Sequence, residues 1–252
     1  MKLARRVVVR ANQYLLPIAF LLSLNVACRA QQDYVGRYSV YTGFADLSSP
    51  GLNSLNQIGF HLQAAISPSR LIGTGFDYSV ESGDTSLTTN LATPQLQAQL
   101  AALAAQFAQA GLLPPGYTLN LPLHALTQSF TVGAQLEYRH FAYATLFIRP
   151  SLSAFRIVAT PHPSPQDLFA VTVSKSLAPN GSLTDWTGAY GVGGGADLKM
   201  TEHVWARAQL DVVWNHPFNS ILANGFWSYR FSIGPTFKFG ANVPQHGHHT
   251  KS

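Results

Sequence analysis

Histidines are the first residues whose chemistry invites a reading, and the chain has nine. His246, His248 and His249 form the run HGHH near the C-terminus, a spacing that can hold zinc or nickel weakly. A structural metal site wants four fixed ligands, and the surrounding ANVPQHGHHTKS, 241–252, has the composition of a disordered tail. No metal ligand is therefore assigned. His61 with Asp77 offers an acid–base pair, but such pairs also arise as links in structural polar networks. His124 and Ser129 lie close in sequence, yet no acid completes them, and spacing alone does not define a nucleophile. The run GVGGGAD, 191–197, lacks the strand–turn–helix setting of a phosphate loop. The expectation is no catalytic residue, no cofactor and no nucleic-acid partner.

The charged residues carry more information. They make up only 11% of the chain, well under the roughly 25% usual in soluble domains. The formal net charge of +5 comes from Lys2, Arg5, Arg6, Arg10 and Arg29; from Gln31 onward eleven basic residues face eleven acidic ones. Twelve recur on one face of alternating segments: Arg37, Asp77, Glu81, Glu137, Arg139, Arg149, Asp197, Lys199, Arg207, Asp211, Arg230 and Lys238.

The elements that position them are strands. Apolar and polar residues alternate with a period of two, the mark of a strand with unlike faces, in eight segments: 33–44, 58–67, 71–82, 129–139, 145–155, 186–200, 204–215 and 227–240. Short connections (67–70, 139–143, 201–203) alternate with longer ones (roughly 45–57, 83–128, 159–185, 216–225), as in an up-and-down meander with all short turns at one end. Two long loops carry helix signals. Thr93 as N-cap, Pro94 in the first turn and Gly111 as a stop bracket one helix, with Leu96, Leu100, Leu103 and Phe107 as its apolar stripe. Ser164, Pro165 and Asp167 begin another, ending near Pro179.

Two architectures fit. A soluble barrel points its apolar face inward; a membrane barrel points it at lipid and fills the lumen with polar groups. The polar face is rich in Gly, Ser, Thr and Ala, which suits a narrow eight-stranded interior. Its charges nearly balance, as a buried lumen demands. The aromatics of the apolar face gather at strand ends. Trp186, Trp214 and Trp227 lie by the long loops, and Tyr34, Tyr138, Phe237 and Phe239 by the short turns, like the two girdles selected at membrane interfaces. A three-residue turn at Thr201–His203 sets Met200 against Val204 and Asp197 opposite Arg207.

On these residues the chain resembles the eight-stranded outer-membrane β-barrel family of Gram-negative envelopes (OmpA- and OmpX-like barrels), over about residues 33–240. The last strand, YRFSIGPTFKFG, also resembles the family's assembly signal, although the chain continues past Phe239. The resemblance implies an all-β, up-and-down transmembrane barrel with short periplasmic turns and long extracellular loops. Its implied partners are outer-membrane lipids, lipopolysaccharide and the barrel-assembly machinery. The basic start and short apolar run at 15–27 read as a cleaved signal peptide, 1–30, with a lipoprotein signal ending at Cys28 as the competitor. Residues 31–240 are then the barrel and 241–252 the tail. The expected role is non-enzymatic, in envelope structure or surface contact, with a largely filled polar lumen. The alternatives are a small passive pore, a lipid A-modifying enzyme and a soluble ligand-binding barrel.

Overall fold

Eight antiparallel strands close into one ring in chain order, in a computed structural model that describes residues 32, 34–53 and 55–244. The signal sequence with Cys28, and the histidine run at 246–249, lie outside the described residues. The strands are β1 (Gly36–Ser49), β2 (Leu55–Ile66), β3 (Ile72–Thr88), β4 (Asn120–Tyr138), β5 (Ala144–Pro161), β6 (Leu183–Lys199), β7 (Val204–Asn215) and β8 (Phe226–Asn242). β8 pairs with β1 and leaves no edge. Among the described residues two α-helices sit in the long loops, α1 (Pro94–Gln109) and α2 (Leu168–Leu177).

The strands are longer than the alternation alone suggests. β4 has 19 residues and β5 has 18, whereas a bilayer needs about 9–11 from a tilted strand. Much of what reads as loop, at 45–57, 83–128 and 159–185, is strand that carries on beyond the lipid-facing band. The cause lies in the phase of the pattern. On the lower part of β4 the apolar residues Phe130, Val132, Leu136 and Tyr138 point outward, while on its upper part Leu121 and Ala125 point inward and are buried. β1, β3 and β5 repeat the change: Leu47, Leu87, Phe155 and Ile157 are all buried inside. From one storey to the next the period of two does not slip, so register is kept; the apolar residues move from one face to the other.

The outer face changes in step. Above the aromatic ring it carries polar pairs: Ser48 Oγ donates to Asn56 Oδ1 at 2.8 Å, Arg156 to Gln128 at 2.9 Å, and His124 meets Asp84 at 2.7 Å. The molecule is thus a barrel of two storeys, a membrane-type storey below and a soluble-type storey above.

The lower rim departs from the expected tail boundary. Ala241 and Asn242 belong to β8, because Asn242 Oδ1 accepts from the Val35 amide at 2.9 Å and the Val243 amide donates to the Val35 carbonyl at 2.9 Å. These bonds satisfy backbone groups that water would otherwise have to meet.

The helices form the roof. Thr93 caps α1 by accepting from the Leu96 amide at 3.4 Å, and Gly111 ends it with φ of 68°. Leu100 of α1 is buried with Phe169 and Val173 of α2, Leu121 of β4, and Leu222 of the β7–β8 loop, while Phe107 meets Phe169 edge-on at 5.4 Å. α2 begins later than Ser164. Residues 164–167 form a turn in which the Asp167 amide bonds the Ser164 carbonyl, and Asp167 becomes the cap by accepting from the Ala170 amide at 2.8 Å. Its other oxygen takes the Tyr117 hydroxyl at 2.7 Å; burial and that carboxylate raise the Tyr117 pKa. One carboxylate therefore holds both a helix start and the neighbouring loop. Asp167→Ala is expected to cost this region about 1–2 kcal/mol. Trypsin cleavage at the exposed Lys175 of α2 should accelerate several-fold to about thirtyfold, since local opening sets the rate. An unchanged rate would show that the cap does not control opening.

Candidate functional site: a plugged lumen beneath an apolar chamber

Inward-facing positions of the lower storey carry ten buried charged side chains among the described residues, five of each sign: Arg139, Arg149, Arg207, Arg230 and Lys238 with Asp77, Glu81, Glu137, Asp197 and Asp211. Nine come from β3 to β8, because each strand offers every second residue to the lumen, and Arg139 directly follows β4. Burying charge is tolerable only with partners, and the pairing falls into two layers.

The layer nearer the short turns centres on Asp197. The β6–β7 turn sets Asp197 opposite Arg207, with the Met200 amide bonding the Val204 carbonyl at 3.0 Å. Arg207 donates Nε and Nη2 to the two Asp197 oxygens at 2.6 and 2.9 Å, the planar bidentate fit of guanidinium to carboxylate. Its remaining nitrogen reaches Gln63 Oε1. Lys238 Nζ adds a second cation at 2.8 Å from Asp197 and lies 3.9 Å over the Trp205 ring. Glu137 and Arg139 pair beside the β4–β5 turn.

The second layer is a chain across the bore. Asp77 pairs with Arg149, Arg149 reaches Asp211 at 3.3 Å, and Arg230 binds Asp211 at 2.9 Å. Arg230 also donates to Ser79 and Ser129 at 2.7 and 2.8 Å, and Glu81 stands 4.0 Å away. The Phe147 ring lies under the Arg207 guanidinium, 4.6 Å from its central carbon to the ring centroid. Its ring fits because Gly195 has no side chain: a Cβ there would stand 2.7 Å from the Phe147 ring. Gly193 does the same for Asp211, whose carboxylate a Cβ there would strike.

Two of the twelve expected lumen charges fall outside these layers. Arg37 is exposed and Lys199 is half-buried. Both sit at strand ends on the short-turn rim, where water reaches them and no lumen partner is required. The chemistry-bearing pairs also resolve. His61 Nε2 lies 3.5 Å from Asp77 with both side chains fully buried, a link in the network that no substrate can reach. His124 faces outward to Asp84, while Ser129 faces inward and shares a 2.6 Å bond with Ser79; the two are on opposite faces of β4. No cluster of three metal-binding side chains occurs among the described residues.

The girdle residues stand on the outer face. Tyr138, Trp186, Trp227, Phe237 and Phe239 are exposed. Trp214 is half-buried and stacks on Tyr190 at 5.5 Å, and Tyr34 is half-buried with its ring edge-on to His203 at 5.2 Å.

Two features escape a reading by faces. Trp205, buried in the lumen, sits between Val204 and Ala206, so alternation does not single it out; only counting back from Arg207 gives its side. The second is the chamber of the upper storey. A cavity of about 90 Å³ lies there, walled by Leu47, Leu87, Leu121, Ala125, Phe155 and Ile157 and roofed by Leu91, Phe218, Ile221 and Leu222. Its floor is a ring of uncharged polar groups. Gln57 donates to the Ala125 carbonyl at 2.8 Å and accepts from Thr127 at 2.9 Å, and Ser228 binds Ser49 at 2.8 Å and Asn215 at 3.2 Å. The swap of faces along β4 would have revealed it.

No family model and no curated protein matches the sequence. Solved structures do match the fold. Neisserial surface protein A superposes with a TM-score of 0.52 at 12% identity, over 81% of this chain and 99% of that one. OprG from Pseudomonas aeruginosa gives 0.49 at 10% identity, over 84% and 99%. Ail, the attachment invasion locus protein of Yersinia pestis, crystallised with a heparin analogue, gives 0.44 at 14% identity, over 81% and 99%. The chain has the fold of the eight-stranded outer-membrane β-barrels.

Proposed function

We propose that this protein resides in the outer membrane of a Gram-negative envelope as a closed, non-enzymatic barrel. Its membrane storey is a structural plug, and its working surface is the loop-bearing end. One observation carries the reading: the ion-paired chain Asp77–Arg149–Asp211–Arg230 spans the bore with every member buried. A conducting pore needs a path along which ions find a continuous polar lining. Here the fixed charges satisfy one another, and an apolar chamber lies above them, a dry segment that hydrated ions enter only at high cost. The girdles support a setting among outer-membrane lipids and lipopolysaccharide. The aromatic alternation of β8 supports recognition by the assembly machinery. The loop roof supports contacts at the cell surface.

Planar-bilayer recording tests the plug. The wild-type barrel should show no stable conductance, and Arg149→Ala with Asp211→Ala should produce small, frequent openings. Large, steady wild-type currents would sink the proposal. The non-enzymatic reading is checked by mass spectrometry of lipid A with and without expression, where the spectrum should not change.

A further inference from the structure

The chamber of the upper storey has the build of a binding site, and this goes beyond the plugged-barrel reading. No charged side chain lines it, and its wall is Leu, Ile, Phe and Ala. Its volume of about 90 Å³ is of the order of the ~150 Å³ apolar cavity that stays dry and takes up benzene. That size is of the order of a single ring. Of the buried polar side-chain atoms in its floor, one stays unpaired. Asn215 is 2% exposed and lies at the floor; its amide nitrogen donates to Ser228, and its Oδ1 has no hydrogen-bond partner. A pocket of apolar walls with one placed polar atom fixes both the class and the orientation of a ligand. A free carboxamide oxygen accepts a hydrogen bond and cannot give one.

We infer that the chamber binds a small neutral molecule with an apolar single-ring body and one hydroxyl donor, phenol being the simplest example. The ring packs between Leu121 and Ile157, and the hydroxyl donates to Asn215 Oδ1. The floor and plug below bar its passage through the membrane storey, so the ligand enters and leaves through the roof, past Phe218. Phe218 is one of two non-glycine residues with positive φ among those described, at 48°, and its amide is held by Asp185 at 2.5 Å.

Methyl NMR of the refolded chain in lipid nanodiscs, titrated with phenol and separately with benzene, tests this. Saturable shifts are expected at the Leu47, Leu121 and Ile157 methyls, with phenol roughly tenfold tighter than benzene, the effect of one net hydrogen bond. Asn215→Leu should bring phenol to the level of benzene and leave benzene unchanged. Ala125→Phe should weaken both by filling the space, with Ala159→Phe as a second filling variant on a different strand. Three wild-type results overturn the inference. One is an absence of saturable shifts, or equal shifts at the lipid-facing Val132 and Ile148 methyls. Another is equal affinity for phenol and benzene. The third is cross-relaxation from lipid acyl chains to the Leu121 methyls before any titrant is added.

Discussion

Asp197→Ala is expected to destabilise the barrel by about 3–5 kcal/mol, the range for breaking a buried ion pair from one side. The loss is large because two cations depend on this carboxylate. Arg207 is bidentate on it and Lys238 sits 2.8 Å away, and both are buried. Removing Asp197 strands two charges, whereas Arg207→Met strands none, because Asp197 keeps Lys238. Arg207→Met should therefore cost clearly less than Asp197→Ala, although it deletes the larger side chain and the contact with Phe147. Asp197→Ala together with Arg207→Met should also cost less than the sum of the two single changes, since they share one interaction. Reversible urea unfolding in lipid vesicles, followed by tryptophan fluorescence, measures all three. If Arg207→Met proves the more damaging, packing around the guanidinium outweighs the charge and the account of the lower layer fails.

The second large effect concerns where the membrane stops. Ala134 and His124 lie on the outer face of the same strand. Ala134 stands midway between the girdle residue Tyr138 and Phe130, which stacks on the girdle residue Trp186 at 6.1 Å, and His124 stands above them, paired with Asp84. Arg at a mid-bilayer, lipid-facing position costs about 2–4 kcal/mol, falling to about 0–1 near the interface. Ala134→Arg should show the first figure. His124→Arg should be nearly neutral, since the new guanidinium stays in water and keeps Asp84 as a partner. Equal costs at the two sites would mean that lipid reaches the upper storey, and that the polar pairs on its outer face are not its boundary with water.

How far the sequence speaks for itself depends on the storey. In the lower one, alternation identified all eight strands, and the three-residue β6–β7 turn placed Asp197 opposite Arg207. Both follow from local rules, period and loop length, that need no knowledge of the rest of the fold. The upper storey was hidden for a physical reason. The position of the apolar residues identifies the outer face only while the outside is hydrocarbon. Once β4 leaves the membrane, Leu121 and Ala125 turn inward by the same hydrophobic effect that turned Val132 and Leu136 outward. An unbroken strand then looks like a pattern that has ended. Arg37 and Lys199 mark the opposite limit: they hold lumen parity, but parity says nothing about depth, and both lie where water begins. The chamber required the roof as well, and how α1, α2 and the β7–β8 loop meet over the bore is a matter of long-range packing.

The polar pairs above the aromatic ring also govern how the molecule moves as a body. For the barrel to sink, tilt steeply or turn over, Asp84, His124 and Arg156 would have to enter hydrocarbon together, each at a cost of the order of that for a misplaced arginine. At the other rim Arg37 and Lys199 set the same limit from below. The protein is therefore fixed in height, like a rivet with a head on each side of the sheet. Insertion must carry the upper head through once. Once in place, the loops and roof keep a constant distance from the lipid surface, whatever they meet there.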